Sequence, residues 1–138
     1  MEVLIAKAVA DQMVAHCMDA YPYEGCGLLA AAPGSNELIV CYPTKNAANS
    51  ARVYTIDPKD HLRADRDADD RGLEIAGVFH SHTHTHAYPS PTDVKQAPVP
   101  SWHYVLVGFE YEEPQIRSFR IVDGNIEEES LVVSEIES

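Results

Sequence analysis

The chain has 138 residues and a formal charge of −12, with 10 Lys and Arg against 22 Asp and Glu. Its scattered cations offer no footprint for a phosphate backbone or an anionic membrane surface, which excludes nucleic acid and membrane as expected partners. At 45% hydrophobic and 23% charged residues it is neither disordered nor fibrous, and its length suits a single domain over residues 1–138 with a core that needs no staples. The acidic excess in Asp65 to Asp70 and in the tail from Glu127 to Glu137 reads as solvated faces. Three cysteines, Cys17, Cys26 and Cys41, lack CxxC spacing and fit neither a disulfide framework nor a thiolate zinc site. Charges interrupt the opening segment and no later run reaches spanning length, so a soluble cytoplasmic protein is expected.

In chain order, Ile5 to Met18 carries two i, i+4 rows, Ile5, Val9, Met13, Cys17 and Ala6, Ala10, Val14, Met18, which predict an amphipathic helix ending before Pro22. Gly25 to Ala31 predicts a buried strand, Pro33 to Asn36 a turn, and Glu37 to Tyr42 a second strand, together a hairpin. A polar stretch from Thr44 to Ala51 leads into Val53-Tyr-Thr-Ile. Asp57 as N-cap and Pro58 at the first helical position then open a polar helix ending near Gly72. Ile75 to His82 predicts a strand, and Ser90-Pro91 starts a short helix stopped by Pro98 and Pro100. Strands follow at Tyr104 to Phe109 and Gln115 to Val122, with Asp123-Gly124 turning into a last strand. The expected order is α-β-β-α-β-α-β-β-β, an α/β or α+β mixed sheet flanked by helices.

The segment from His80 to Asp93 holds the densest chemistry. Side chains alternate across a strand, so His80 and His82 face one side and can converge on one ion. Neutral imidazoles suit zinc, and Asp93, on the first turn of the following helix, is the candidate third ligand. Three protein ligands leave a fourth position open, as catalytic zinc sites do. Other HxH architectures fit worse. A cupin wants a Glu a few residues on, barrel amidohydrolases need a much longer chain, and the HxE with PCxxC pattern of zinc deaminases is absent.

His80-Ser81-His82, seven residues, Ser90, two residues and Asp93, with Glu24 well upstream, resembles the complete JAMM motif of MPN-plus metallopeptidases. The likeness extends to Glu24-Gly-Cys-Gly-Leu-Leu, to Thr44-Lys-Asn-Ala followed by Tyr54, to Ala87-Tyr-Pro-Ser-Pro-Thr-Asp-Val-Lys and to Ser118-Phe-Arg-Ile-Val-Asp-Gly. In those details the chain is similar to compact family members that act on a small ubiquitin-like sulfur carrier. The resemblance implies a cytidine-deaminase-like MPN/JAMM fold and one zinc ion on His80, His82 and Asp93. It makes Glu24 the carboxylate that moves the water proton and Ser90 an oxyanion donor. It further implies hydrolysis of a peptide or isopeptide bond at the tail of a β-grasp carrier, with release of cysteine. A general deconjugase or small-peptide hydrolase, and a noncatalytic MPN scaffold, are the alternatives, and a homodimer is left open.

Other residues carry blander readings. Ser90 is also an ordinary helix N-cap, a role compatible with donating its proton elsewhere. His84 and His86 lie in the seven-residue gap and read as a solvated loop; with Tyr88 and Asn46, His84 is a candidate for substrate contact. His103 reads as a packed strand histidine. A cysteine-nucleophile reading of Cys26 would leave the HxH, Ser and Asp spacing unexplained.

Overall fold

The computed structural model describes residues 2–48, 50 and 53–134. Its elements are β1 (Glu2–Ala6), α1 (Lys7–Ala20), β2 (Cys26–Ala31), β3 (Glu37–Leu38), β4 (Val40–Thr44), α2 (Pro58–Asp70), β5 (Glu74–His82), α3 (Pro91–Lys95), β6 (His103–Gly108), β7 (Gln115–Val122) and β8 (Asn125–Ser134). The strands form one mixed sheet of order β3-β1-β8-β7-β6-β5-β2-β4 with helices against it, the α+β arrangement expected from the sequence. Pairing is parallel at β1/β3, β1/β8 and β5/β6 and antiparallel elsewhere.

β3 and β4 stand at opposite ends of that order, yet Ile39 alone separates them in sequence, so the sheet has to curl until its edges meet. The inside of the curl is filled by α1, whose buried Val9, Ala10, Met13 and Cys17 pack with Val3, Ile5, Leu38, Phe79 and Val105 from both halves of the sheet. The opposite face of β2 and β5 packs Cys26, Leu28 and Val78 with Tyr54 and with Ala64 of α2. α2 opens as predicted, with the Asp57 carboxylate accepting from Lys59 and Asp60 N–H and Pro58 in the first turn.

Two predicted elements are corrected. Ile5 does not begin a helix: residues 2–6 are a strand running parallel to β8, with Val3 opposite Leu131, and the helix starts at Lys7. Met18, placed on the apolar row by periodicity, is exposed. The predicted Glu37 to Tyr42 strand is split at Ile39, its first half joining β1 and its second joining β2 in the expected hairpin, with Leu28 opposite Tyr42.

The acidic segments are only partly the solvated faces expected. Asp67 is half-buried and accepts from the Tyr42 hydroxyl at 2.6 Å. Glu129 is buried, with His103 Nδ1 at 2.7 Å, Ser118 Oγ donating at 2.9 Å and Arg120 Nε at 3.2 Å. Glu135 and Glu137 of the tail, and Ala51 at the end of the polar stretch, lie outside the described residues. Among the described residues no helix is long and apolar enough to cross a membrane.

Candidate metal centre

A β-bulge sets the direction of the two histidines. Between the pairs Leu29↔Gly77 and Ala30↔Ile75, β5 carries one extra residue, Ala76, which resets the alternation of the strand. Val78, His80 and His82 therefore share the α2 side of the sheet, while Phe79 and Ser81 turn toward α1. His80 is buried and stacked on the Tyr54 ring, with centroids 4.1 Å apart and planes at 20°. His82 is buried, and its Nδ1 lies 2.9 Å from the His86 carbonyl. With Nδ1–H donating there, Nε2 is the ring nitrogen turned to the centre, where it hydrogen-bonds Asp93 Oδ2 and where a bound ion would take its lone pair.

Asp93 comes from the start of α3. Ser90 is the N-cap, its Oγ accepting from Asp93 N–H at 3.1 Å while Ser90 N–H donates to Asp93 Oδ2 at 2.9 Å, a reciprocal capping box. The same carboxylate reaches the histidines, with Oδ2 2.9 Å from His82 Nε2 and Oδ1 3.2 Å from His80 Nε2. The His80 contact is electrostatic, because neither nitrogen of that ring forms a hydrogen bond among the described residues. Burial alone would raise the Asp93 carboxyl, but the two histidines and Ser90 N–H outweigh it and hold the group well below the usual carboxylate range. Burial lowers the pKa of His80; for His82, Asp93 and the His86 carbonyl outweigh burial and raise it.

One ligand atom from each of His80, His82 and Asp93 lies within 4.8 Å of the others. Two ligands bonded to a tetrahedral zinc ion at about 2.0 Å stand about 3.3 Å apart, so the Asp93–histidine distances match that requirement. The donor set, two imidazole nitrogens and a carboxylate oxygen, is of the kind zinc takes.

Glu24 reaches this space from the segment between α1 and β2. Gly25 permits the approach, since a Cβ there would stand 2.8 Å from Cys17 Cα. Glu24 N–H donates to the Ser50 carbonyl at 2.8 Å and its own carbonyl accepts from Asn46 Nδ2 at 3.0 Å. The residue is 3% exposed, and its Oε1 has no hydrogen-bond partner among the described residues. Burial pushes this carboxyl up to about 7, with His82 opposing and Asp93 adding. A groove of about 800 Å³ runs past Glu24 between His16 and Asp19 of α1, residues 43–47, and Asp57 and Asp60 at the start of α2.

The structure thus brings His80, His82, Asp93, Ser90 and Glu24 together and leaves the remaining candidates outside. Asn46 lines the groove, but its amide is saturated by main chain: Nδ2 donates to Glu24 and Val53 carbonyls, and Oδ1 accepts from Ala48 and Thr55 N–H. His84 is exposed with its ring edge-on to Tyr21. Tyr88 packs on Phe119 beside Arg117. His86 matters through its carbonyl, which no side-chain pattern announces. Tyr54 belongs to the site through a contact that the sequence does not reveal. Cys26 is buried against Thr44, and burial raises its thiol to about 11, which leaves no nucleophilic thiolate.

This architecture is that of JAB1/MPN domains. A JAB1/MPN domain protein of Archaeoglobus fulgidus shares it with a TM-score of 0.64 over 94% of this chain and 99% of that one, at 16% identity. A solution structure of a Desulfitobacterium hafniense protein matches with a TM-score of 0.88 at 31% identity, over 99% and 94% of the two chains. In sequence, the chain is 41% identical over 135 residues to the CysO-cysteine peptidases of Mycobacterium bovis and Mycobacterium tuberculosis, covering 96% of this chain and 92% of each relative. Residues 6–122 match the prokaryotic homologues of the JAB domain, and the chain belongs to that family.

Proposed function

We propose that the chain is a single-domain, cytoplasmic zinc peptidase. It hydrolyses the peptide or isopeptide bond at the C-terminal tail of a small ubiquitin-like β-grasp sulfur carrier and releases cysteine. The observation that carries this reading is the meeting of three buried zinc-type donors, His80, His82 and Asp93, with a buried carboxylate, Glu24, whose Oε1 has no hydrogen-bond partner among the described residues. The mycobacterial relatives support the choice of a carrier–cysteine bond as substrate.

His80, His82 and Asp93 would hold one zinc ion, which supplies Lewis acidity toward a carbonyl and lowers the pKa of a water from 15.7 to about 7. Glu24 accepts the proton of the attacking water and returns it to the leaving amine, one carboxylate serving both steps. Its burial keeps bulk water from competing for that proton. Ser90 Oγ accepts from Asp93 N–H and keeps its own proton to donate to the carbonyl oxygen as charge develops there. An extended tail is held by main-chain hydrogen bonds. Along the groove the Thr44 carbonyl is already taken by His16 Nε2 at 2.9 Å and Lys45 N–H by Asp60 at 2.9 Å. The tail therefore pairs beyond them, beside the short ribbon where Asn46 bridges Ile56.

The test is to incubate the zinc-loaded protein with a carrier–cysteine adduct and with a carrier–lysine isopeptide and follow both by mass spectrometry. Faster release of cysteine is expected. Equal or faster cleavage of the isopeptide would make the protein a general deconjugase, and cleavage of neither would remove the peptidase reading.

A further inference from the structure

The two histidines of the centre are held in different ways. A metal-ligating imidazole is normally oriented by a hydrogen bond from its other ring nitrogen, which fixes both the tautomer and the ring rotation. His82 has this device in the His86 carbonyl at 2.9 Å. His80 does not: Nδ1 is buried and has no hydrogen-bond partner among the described residues. What His80 has instead is a face. The Tyr54 ring lies 4.1 Å away at 20° to the imidazole plane, and turning the imidazole about its Cβ–Cγ bond would drive its edge into the phenol.

Tyr54 is itself clamped. The residues on either side of it are bound by one side chain, Asn46, whose Nδ2 donates to the Val53 carbonyl at 3.1 Å and whose Oδ1 accepts from Thr55 N–H at 2.9 Å. The same amide donates to the Glu24 carbonyl at 3.0 Å. One side chain thereby ties the segment behind His80 to the segment that carries the buried carboxylate.

We infer that Tyr54, clamped by Asn46, is the positioning residue for His80, its ring doing by stacking what a hydrogen bond does for His82. The inference rests on the reading of His80 as a zinc ligand. It assigns the phenol ring, and not its hydroxyl, to the task.

The test is zinc affinity of the metal-free protein, measured by competition with a chromophoric chelator. Tyr54→Phe keeps the stack and should bind within about twofold of wild type. Tyr54→Leu removes the stack and should bind about 10–100-fold more weakly, the usual effect of removing a group that orients a ligand. Ile121→Ala opens the same core cluster without touching His80 and should leave affinity unchanged. Wild-type affinity in a folded Tyr54→Leu protein would overturn the inference, as would equal loss in Tyr54→Phe or in Ile121→Ala. Wild-type protein that binds no zinc would instead sink the metal reading itself. A measurement needing no variant is the proton NMR spectrum of the metal-free wild type. There the His80 ring protons should be shifted upfield of those of His82 by the Tyr54 ring current, and their absence from that position would equally overturn the stack.

Discussion

Replacing Glu24 by Gln separates proton transfer from everything else the residue does. Its place in the fold is fixed through its backbone, by the Ser50 carbonyl and Asn46 Nδ2, and those bonds survive the change. The carboxylate Oε1 makes no hydrogen bond among the described residues for an amide there to break, and a charge disfavoured by burial is removed. Stability should stay within about 1 kcal/mol of wild type. Glu24 is not one of the three clustered donors, so zinc content should remain near one per chain. Turnover should fall about 10²–10⁴-fold, the range for loss of a positioned acid–base group, which corresponds to about 2.7–5.4 kcal/mol of barrier. Single-turnover mass spectrometry on a carrier–cysteine adduct, with a melting curve and a zinc assay on the same sample, reads all three quantities. A Glu24→Gln protein that turns over within tenfold of wild type would refute the proton-transfer role. One that loses zinc would make Glu24 a ligand instead.

Asp93→Ala should lose zinc and, even without metal, lose about 1 kcal/mol of stability or more, because Ser90 N–H and the buried His82 Nε2 forfeit their acceptor; denaturant titration of both metal-free proteins checks this. Ser90→Ala should cost about 1 kcal/mol as a lost cap and lower kcat about 10²–10³-fold with little change in KM. A variant that loses the stability but keeps kcat would leave Ser90 only its cap. For Glu129, burial raises the carboxyl but His103, Ser118 and Arg120 outweigh it, so its folded pKa lies below the ordinary 4.5. Its stabilising contribution is then complete above about 4.5 and is lost as pH falls through the depressed value. Glu129→Ala should cost about 3 kcal/mol or more at neutral pH, by leaving buried partners unpaired, and should flatten the acid side of the stability–pH curve.

What could be read from the sequence was what local geometry dictates. The Asp57-Pro58 and Ser90-Pro91 starts were legible because a cap is made by residues within one turn of each other. β1 was not, because Val3 to Ala6 becomes a strand through pairing with β3 and with β8, the latter more than a hundred residues later, and a short apolar run next to a helix has no period of its own. The split at Ile39 answers to the closing of the sheet, and the extra residue at Ala76 to its register; neither leaves a local signal. Glu129 looks like any other residue of an acidic run, and only the neighbouring strands, through His103 and Ser118, make it a buried one. Tyr54 could be named from the sequence but not given its place, since stacking on His80 depends on a loop held by Asn46.

The spacing within the site residues has a physical origin that the structure makes explicit. Two histidines two positions apart, with one residue between them, is the strand period, which turns both imidazoles to one face of β5. Serine and aspartate three positions apart, with two residues between them, is the N-cap to N3 distance of a helix, and here the pair forms a capping box around the first turn of α3. Asp93 therefore has two oxygens with two duties: Oδ2 accepts Ser90 N–H while also facing His82, and Oδ1 faces His80. Once the first turn of α3 forms, the carboxylate is held by the cap and cannot swing away without breaking it. In the proposed centre the third donor is thus oriented by a local folding event that needs no ion, and the entropy of fixing that side chain is already part of folding. Moving Asp93 by one position along the helix would break both relations at once, which explains why the two-residue gap is as much a property of the helix as of the metal.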